Sequence, residues 1–145
     1  MLLCARDCIL VMTYLPQGHI EAAADLGAVY FWGKGAAIDY PRAMAAYKVG
    51  AEGGDAVCQC EVGMMYCMGR GGAVDYKQAR VWFEKAAAQN EPAAVGQLGA
   101  MYSNGDGVTP SFRRARELCK RAIELGDSLS VKNMQGLTEA IQNVS

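Results

Sequence analysis

Three stretches of this chain repeat one pattern at a step of 36 residues. Leu26-Gly27, Val62-Gly63 and Leu98-Gly99 keep that step. So do Tyr30, Tyr66 and Tyr102, and the glycine pairs Gly33/Gly35, Gly69/Gly71 and Gly105/Gly107. A fixed period of this size predicts a row of supersecondary units, each burying its neighbour, rather than one closed core. Such rows expose long surfaces, which points to recognition of a partner before any reaction.

Each unit reads as two helices. In the second, Asp55 caps a helix over 56–68 whose apolar residues fall near helical spacing. Gly69-Arg70-Gly71-Gly72 then breaks the helix. Asp75 is the next cap, and Gln78 completes a capping box. A second helix follows through Ala79, Trp82, Phe83, Ala86 and Ala87, and Asn90 suits the left-handed position that ends it. The signals return in register. Asp39, Asp75 and Ser111 share the cap position, and Gly18, Gly54, Asn90 and Gly126 share the helix end. The next position holds His19, Asp55, Glu91 and Asp127, three of them acidic before a following helix. Gly27, Gly63 and Gly99 lie inside helices, where glycine costs about 1 kcal/mol against alanine. Their recurrence predicts a close helix approach, filled by a side chain such as Tyr47 or Phe83.

The pattern resembles the Sel-one-like repeat, a relative of the tetratricopeptide repeat. The second unit carries the resemblance through Cys58, Val62-Gly63, Tyr66, Gly69-Arg70-Gly71, Asp75, Ala79, Trp82 and Lys85-Ala86-Ala87. The first does so through Ala22, Leu26-Gly27, Tyr30, Gly33-Lys34-Gly35, Asp39, Ala43 and Tyr47. The third does so through Ala94, Leu98-Gly99, Tyr102, Gly105-Asp106-Gly107-Val108, Ala115 and Ala122. The third unit departs at Ser111 and Leu118, where the family has aspartate and tryptophan. The resemblance implies an all-α fold: a right-handed α-α superhelix, or solenoid, of helix-turn-helix repeats with a 36-residue period. It also implies an adaptor or scaffold in protein complexes, without catalysis.

The expected organisation is a single repeat domain. Residues 3–18 form an N-terminal partial repeat, and repeats follow over 19–54, 55–90 and 91–126. A C-terminal capping helix occupies 127–145, with Leu129, Met134, Leu137 and Ile141 near one stripe. Caps matter because the end of a solenoid otherwise exposes its stacking face. The half-unit at the start reads as a truncated repeat. The alternative function is therefore a structural subunit, or a fragment of a larger repeat protein or assembly, self-associating through exposed terminal faces.

Composition narrows the function classes. Fourteen basic residues against fifteen acidic ones lack the positive excess of a nucleic-acid-binding domain. No apolar run is long enough for a spanning helix, so membrane insertion is not expected. Arg6-Asp7 interrupts the approach to the apolar stretch from Cys8 to Leu15, and no small-x-small cleavage site follows at Gln17-Gly18-His19, unlike a signal peptide. The six cysteines do not follow the repeat phase. Reduced thiols in an intracellular compartment, the cytoplasm, are the expectation. Cys58 and Cys60 point to different sides of a helix, and His19 is the single histidine, so neither a metal site nor a catalytic triad is expected. The Gly-x-Gly triplets lack the strand and the Gly-Lys-Ser/Thr of a phosphate loop. No cofactor is expected.

One further stripe runs along the first helices. Ala24, Ala28, Phe31 and Trp32 share a face in the first unit, Cys60, Met64, Cys67 and Met68 in the second, and Gly96, Ala100, Ser103 and Asn104 in the third. First helices line the concave surface of tetratricopeptide-like solenoids. The expected partner-binding set is therefore Phe31, Trp32, Cys60, Met64, Cys67, Met68, Ser103 and Asn104. An apolar floor of this kind fits a protein or peptide partner presented as an extended segment or amphipathic helix, and methionine adapts to irregular shapes.

Overall fold

Residues 20–144 are described by the computed structural model of the protein, and they form seven helices. These are α1 (Ile20–Trp32), α2 (Tyr40–Glu52), α3 (Ala56–Met68), α4 (Tyr76–Ala88), α5 (Pro92–Asn104), α6 (Phe112–Glu124) and α7 (Leu129–Val144). No strand occurs among the described residues. The expected partial repeat over 3–18, together with Cys4, Cys8 and His19, lies outside them.

Local chemistry sets the helix ends. The Asp39 side chain accepts from the Arg42 backbone N–H at 3.0 Å, Asp75 from Gln78 at 3.0 Å, and Ser111 from Arg114 at 3.3 Å. Serine thus does the work of aspartate in the third unit. Asp55 caps α3 through the Cys58 N–H at 2.7 Å. Glu91 makes no such bond, and Pro92 opens α5 instead, where a missing N–H costs nothing. Asn90 takes φ 60° at the end of α4, in the same phase as Gly54 and Gly126. Each hairpin closes on the same backbone bond: Asp39 donates to the Tyr30 carbonyl, Asp75 to Tyr66, and Ser111 to Tyr102.

The helices pair as α1 with α2, α3 with α4, and α5 with α6, and each pair then packs on the next. The buried clusters fill each hairpin and continue across the junctions between units. Phe31, Met44 and Tyr47 of the first unit bury together with Cys58, Val62, Met65 and Trp82 of the second. Phe83, Ala86 and Ala87 likewise meet Val95, Leu98 and Met101 of the third. This is the solenoid arrangement, in which each hairpin supplies the apolar surface that its neighbour lacks.

The helical glycines serve the close approach. A Cβ added at Gly27 would stand 2.5 Å from Tyr47 Cε1, and one at Gly63 would stand 2.7 Å from Phe83 Cε1. In the third unit Cys119 holds the phase of Tyr47 and Phe83, and a Cβ at Gly99 would lie 2.8 Å from its Sγ.

The C-terminal helix differs from the expected stripe. Leu137 is buried and Met134 partly so, both against Ala115, Cys119 and Tyr102, but Leu129 and Ile141 are exposed. The inward row is Ser130, Met134 and Leu137. These residues stand one period after Ala94, Leu98 and Met101 of α5. So α7 packs as the first helix of a fourth unit. Gln135 and Thr138 occupy its glycine and tyrosine phases.

Candidate binding surface

The first helices of adjacent units touch one another directly, α1 against α3 and α5 against α7. No contact of that extent joins α2 to α4, α4 to α6 or α3 to α5. The first helices therefore approach one another at two of the three junctions, and their remaining faces form one candidate surface.

Along this row Trp32 is 63% exposed and Met68 is 40% exposed. They hold one phase on α1 and α3. Met64 and Cys67 are half-buried, packed partly against the α3–α5 core. Phe31 and Cys60, expected on the same surface, are buried at 4% and 5% exposure. Phe31 lies edge-on to Trp32 at 4.9 Å between centroids and to Tyr40 at 5.5 Å. It supports Trp32 from beneath rather than meeting solvent. Arg70, legible in the sequence only as a turn residue, reaches back from the second unit. Its guanidinium sits 5.1 Å from the Phe31 ring centroid and 5.1 Å from that of Tyr40. Its order across the unit junction holds the aromatic cluster in place.

Ser103 is half-buried and Asn104 exposed. Both line a cleft of about 280 Å³ between α5, α6 and α7, with Phe112, Cys119 and Leu137 on its apolar side and Lys132 and Asn133 on its polar side. Trp32, Met64, Cys67 and Met68 are thus apolar positions on α1 and α3, while Ser103 and Asn104 lie in a cleft of mixed lining at the α5–α7 end. Lys132 and Asn133 escaped sequence reasoning because their membership depends on α7 being a fourth first helix.

Polar ties between units keep the row in register. Gln59, buried on α3, donates to the Ala51 carbonyl at 3.1 Å and accepts from Gln89 at 3.0 Å. Arg121 reaches back to the Ala87 carbonyl at 2.9 Å and the Asn90 side chain at 2.7 Å.

Among the described residues, Cys58, Cys60, Cys67 and Cys119 are free thiols. Burial raises Cys58 and Cys60 to about 12 and Cys67 to about 11, so these thiols stay protonated and weakly nucleophilic at neutral pH. Among the described residues no group of three or more histidines, cysteines or carboxylates is placed to hold a metal. No described helix is long and apolar enough to cross a membrane.

Glu61 is the one described carboxylate with a raised pKa, first through burial and then through the Glu91 carboxylate. Asp25 holds the same phase on α1. A raised folded-state pKa means that the folded chain holds a proton the unfolded chain has already lost. Stability therefore falls as pH rises from the ordinary carboxylate value towards the raised one. Glu61→Gln is expected to melt higher than the parent at neutral pH, and level with it below about pH 4, where both states are protonated. Thermal melts at the two pH values check this; an equal gain at both would rule out ionisation as the cause.

The sequence profile of the Sel1 repeat matches residues 20–55, 56–91 and 92–127. No curated protein matches at a comparable level. A Sel1 repeat protein from Oxalobacter formigenes is 30% identical, with a TM-score of 0.77 over 85% of this chain and 52% of its own length. A protective antigen of uropathogenic Escherichia coli strains, displaying an SLR fold, is 35% identical with a TM-score of 0.77. It is matched over 83% of this chain and 26% of its own length. The chain thus spans about half of the first relative and a quarter of the second. The cysteine-rich protein B of Helicobacter pylori, 18% identical, shares the fold at a TM-score of 0.65 over 87% of this chain and 93% of its own.

Proposed function

Because the chain belongs to the Sel1 repeat family, whose members are generally protein-interaction modules and typically non-catalytic scaffolds, we propose that it is an adaptor binding a partner peptide or helix along its inner face. The observation that carries this reading is the pair of exposed large apolar residues, Trp32 and Met68, held at one phase on consecutive first helices. Isolated exposed apolar residues are ordinary, but a pair in one phase, in line with a cleft that offers Ser103 and Asn104, suits a segment lying across the units. Met64 and Cys67 add to the apolar pair, and Ser103 and Asn104 offer hydrogen bonds to the partner's backbone or polar side chains. Phe31 and Cys60 act from below, by fixing the residues above them.

The reading is tested with the Trp32→Ala, Met64→Ala double variant. Trp32 lies mainly in solvent, so helical content should persist by circular dichroism. Binding is expected to weaken at least tenfold, since a buried aromatic anchor at an interface is commonly worth about 2 kcal/mol or more. Pull-downs from the native source with the two proteins provide the measurement. Equal recovery of the same proteins would remove the groove.

A further inference from the structure

The outer end of the row, between α6 and α7, has a different character. In the first two units, the residue opening the second helix touches the next unit's turn: Tyr40 is half-buried, and Tyr76 stays 38% exposed. A Cβ added at Gly71 would stand 3.0 Å from the Tyr40 carbonyl oxygen, and one at Gly107 would stand 2.8 Å from the Tyr76 Cβ. Phe112 holds the same phase on α6. No glycine turn reaches it, because α7 stays helical to Val144. Phe112 is 50% exposed, and Ile141 of α7 is 45% exposed across the same depression. Met44, buried under the second unit, corresponds in phase to Arg116, which is exposed. This end is a stacking face on which no described residue stacks.

Its charge distinguishes it from the inner face. α6 carries Arg113, Arg114, Arg116, Lys120 and Arg121 against Glu117 and Glu124, in a chain whose net charge is -1. Arg113 pairs with Glu117 at 3.2 Å, Arg114 lies over Tyr102, and Arg121 is bonded to the preceding unit. Arg116 and Lys120 are exposed, and both line the depression with Phe112 and Ile141.

We propose that the α6–α7 end face docks an acidic amphipathic helix of a partner protein, in the position a second helix would take against α7. The apolar stripe of that helix covers Phe112 and Ile141, and its carboxylates face Arg116 and Lys120. A second copy of this chain fits less well. A two-fold contact through this face would set cations against cations. The inference does not depend on Trp32, Met64, Cys67 or Met68, none of which lies on this face, although Phe112 also lines the cleft that holds Ser103 and Asn104.

Two synthetic helical peptides of about 13 residues, the length of α6, test it against the full chain. Both carry the same leucine stripe; one is flanked by glutamates and the other by lysines. By fluorescence anisotropy at low salt, the glutamate peptide is expected to bind and the lysine peptide to fail. Added salt should weaken the complex. The Arg116→Glu, Lys120→Glu variant should bind about tenfold more weakly, while Trp32→Ala, Met64→Ala binds as the parent does. Equal binding of the two peptides, or indifference to the charge reversal, overturns the proposal. So does a dimer in sedimentation that Ile141→Asp dissociates, because the face would then belong to a second copy.

Discussion

Gly63→Leu is expected to lower folding stability by about 3 kcal/mol. Two effects of opposite sign compete at this position. Inside a helix leucine is favoured over glycine by about 1 kcal/mol, and nothing in the local backbone of α3 resists a side chain. Against this, the first added carbon would lie 2.7 Å from Phe83 Cε1, 2.8 Å from Cδ1 and 3.0 Å from Cζ. The ring cannot retreat, since Phe83 is fully buried among Ala86, Leu98 and their neighbours. Overpacking therefore outweighs propensity, and α3 and α4 must separate. Urea denaturation followed by circular dichroism measures the difference. A variant as stable as the parent would mean that the glycine answers no close approach.

Phe83→Ala is expected to be worse, at about 3–5 kcal/mol, because it removes a ring from a site with no exposure and leaves a cavity at the centre of the repeat row. The third unit offers a natural comparison. There Cys119 occupies the same phase against Gly99, so Cys119→Ala deletes only a sulfur and should cost less. Combining Gly63→Leu with Phe83→Ala should couple the two losses: leucine grows into the space the ring has left, and the double variant should be less destabilised than the sum. Strict additivity would show that the two residues do not share one volume.

Much of this fold was legible because its signals are local. A cap serves the N–H three residues on, a left-handed residue ends the helix it follows, and a turn glycine bends its own backbone. The close approach at Gly27 and Gly63, with Tyr47 and Phe83 as inserts, followed from one further step: a costly residue kept three times needs a neighbour to explain it. The same reasoning stopped short at α7. Its inward row of Ser130, Met134 and Leu137 continues the period, but the glycine and tyrosine that mark the earlier first helices are replaced. With Gln135 and Thr138 in those places, the helix read as a separate cap.

The candidate surface was half legible for a related reason. Helical spacing placed Phe31 and Trp32, or Cys60 and Met64, on one broad face without distinguishing their fates. Exposure was decided by side chains from other units: Arg70 and Tyr40 close over Phe31, while nothing described covers Trp32. The sequence by itself determined the helices, their ends, the pairing within units and the stacking of one unit on the next, since each rests on chemistry within a few residues or on a repeated phase. Only the tertiary structure decided which apolar residues face solvent, how the cleft forms beside α7, and where the cations of α6 come to stand. Those outcomes depend on contacts between residues about one period apart, where two positions of equal hydrophobicity differ only in what lies opposite.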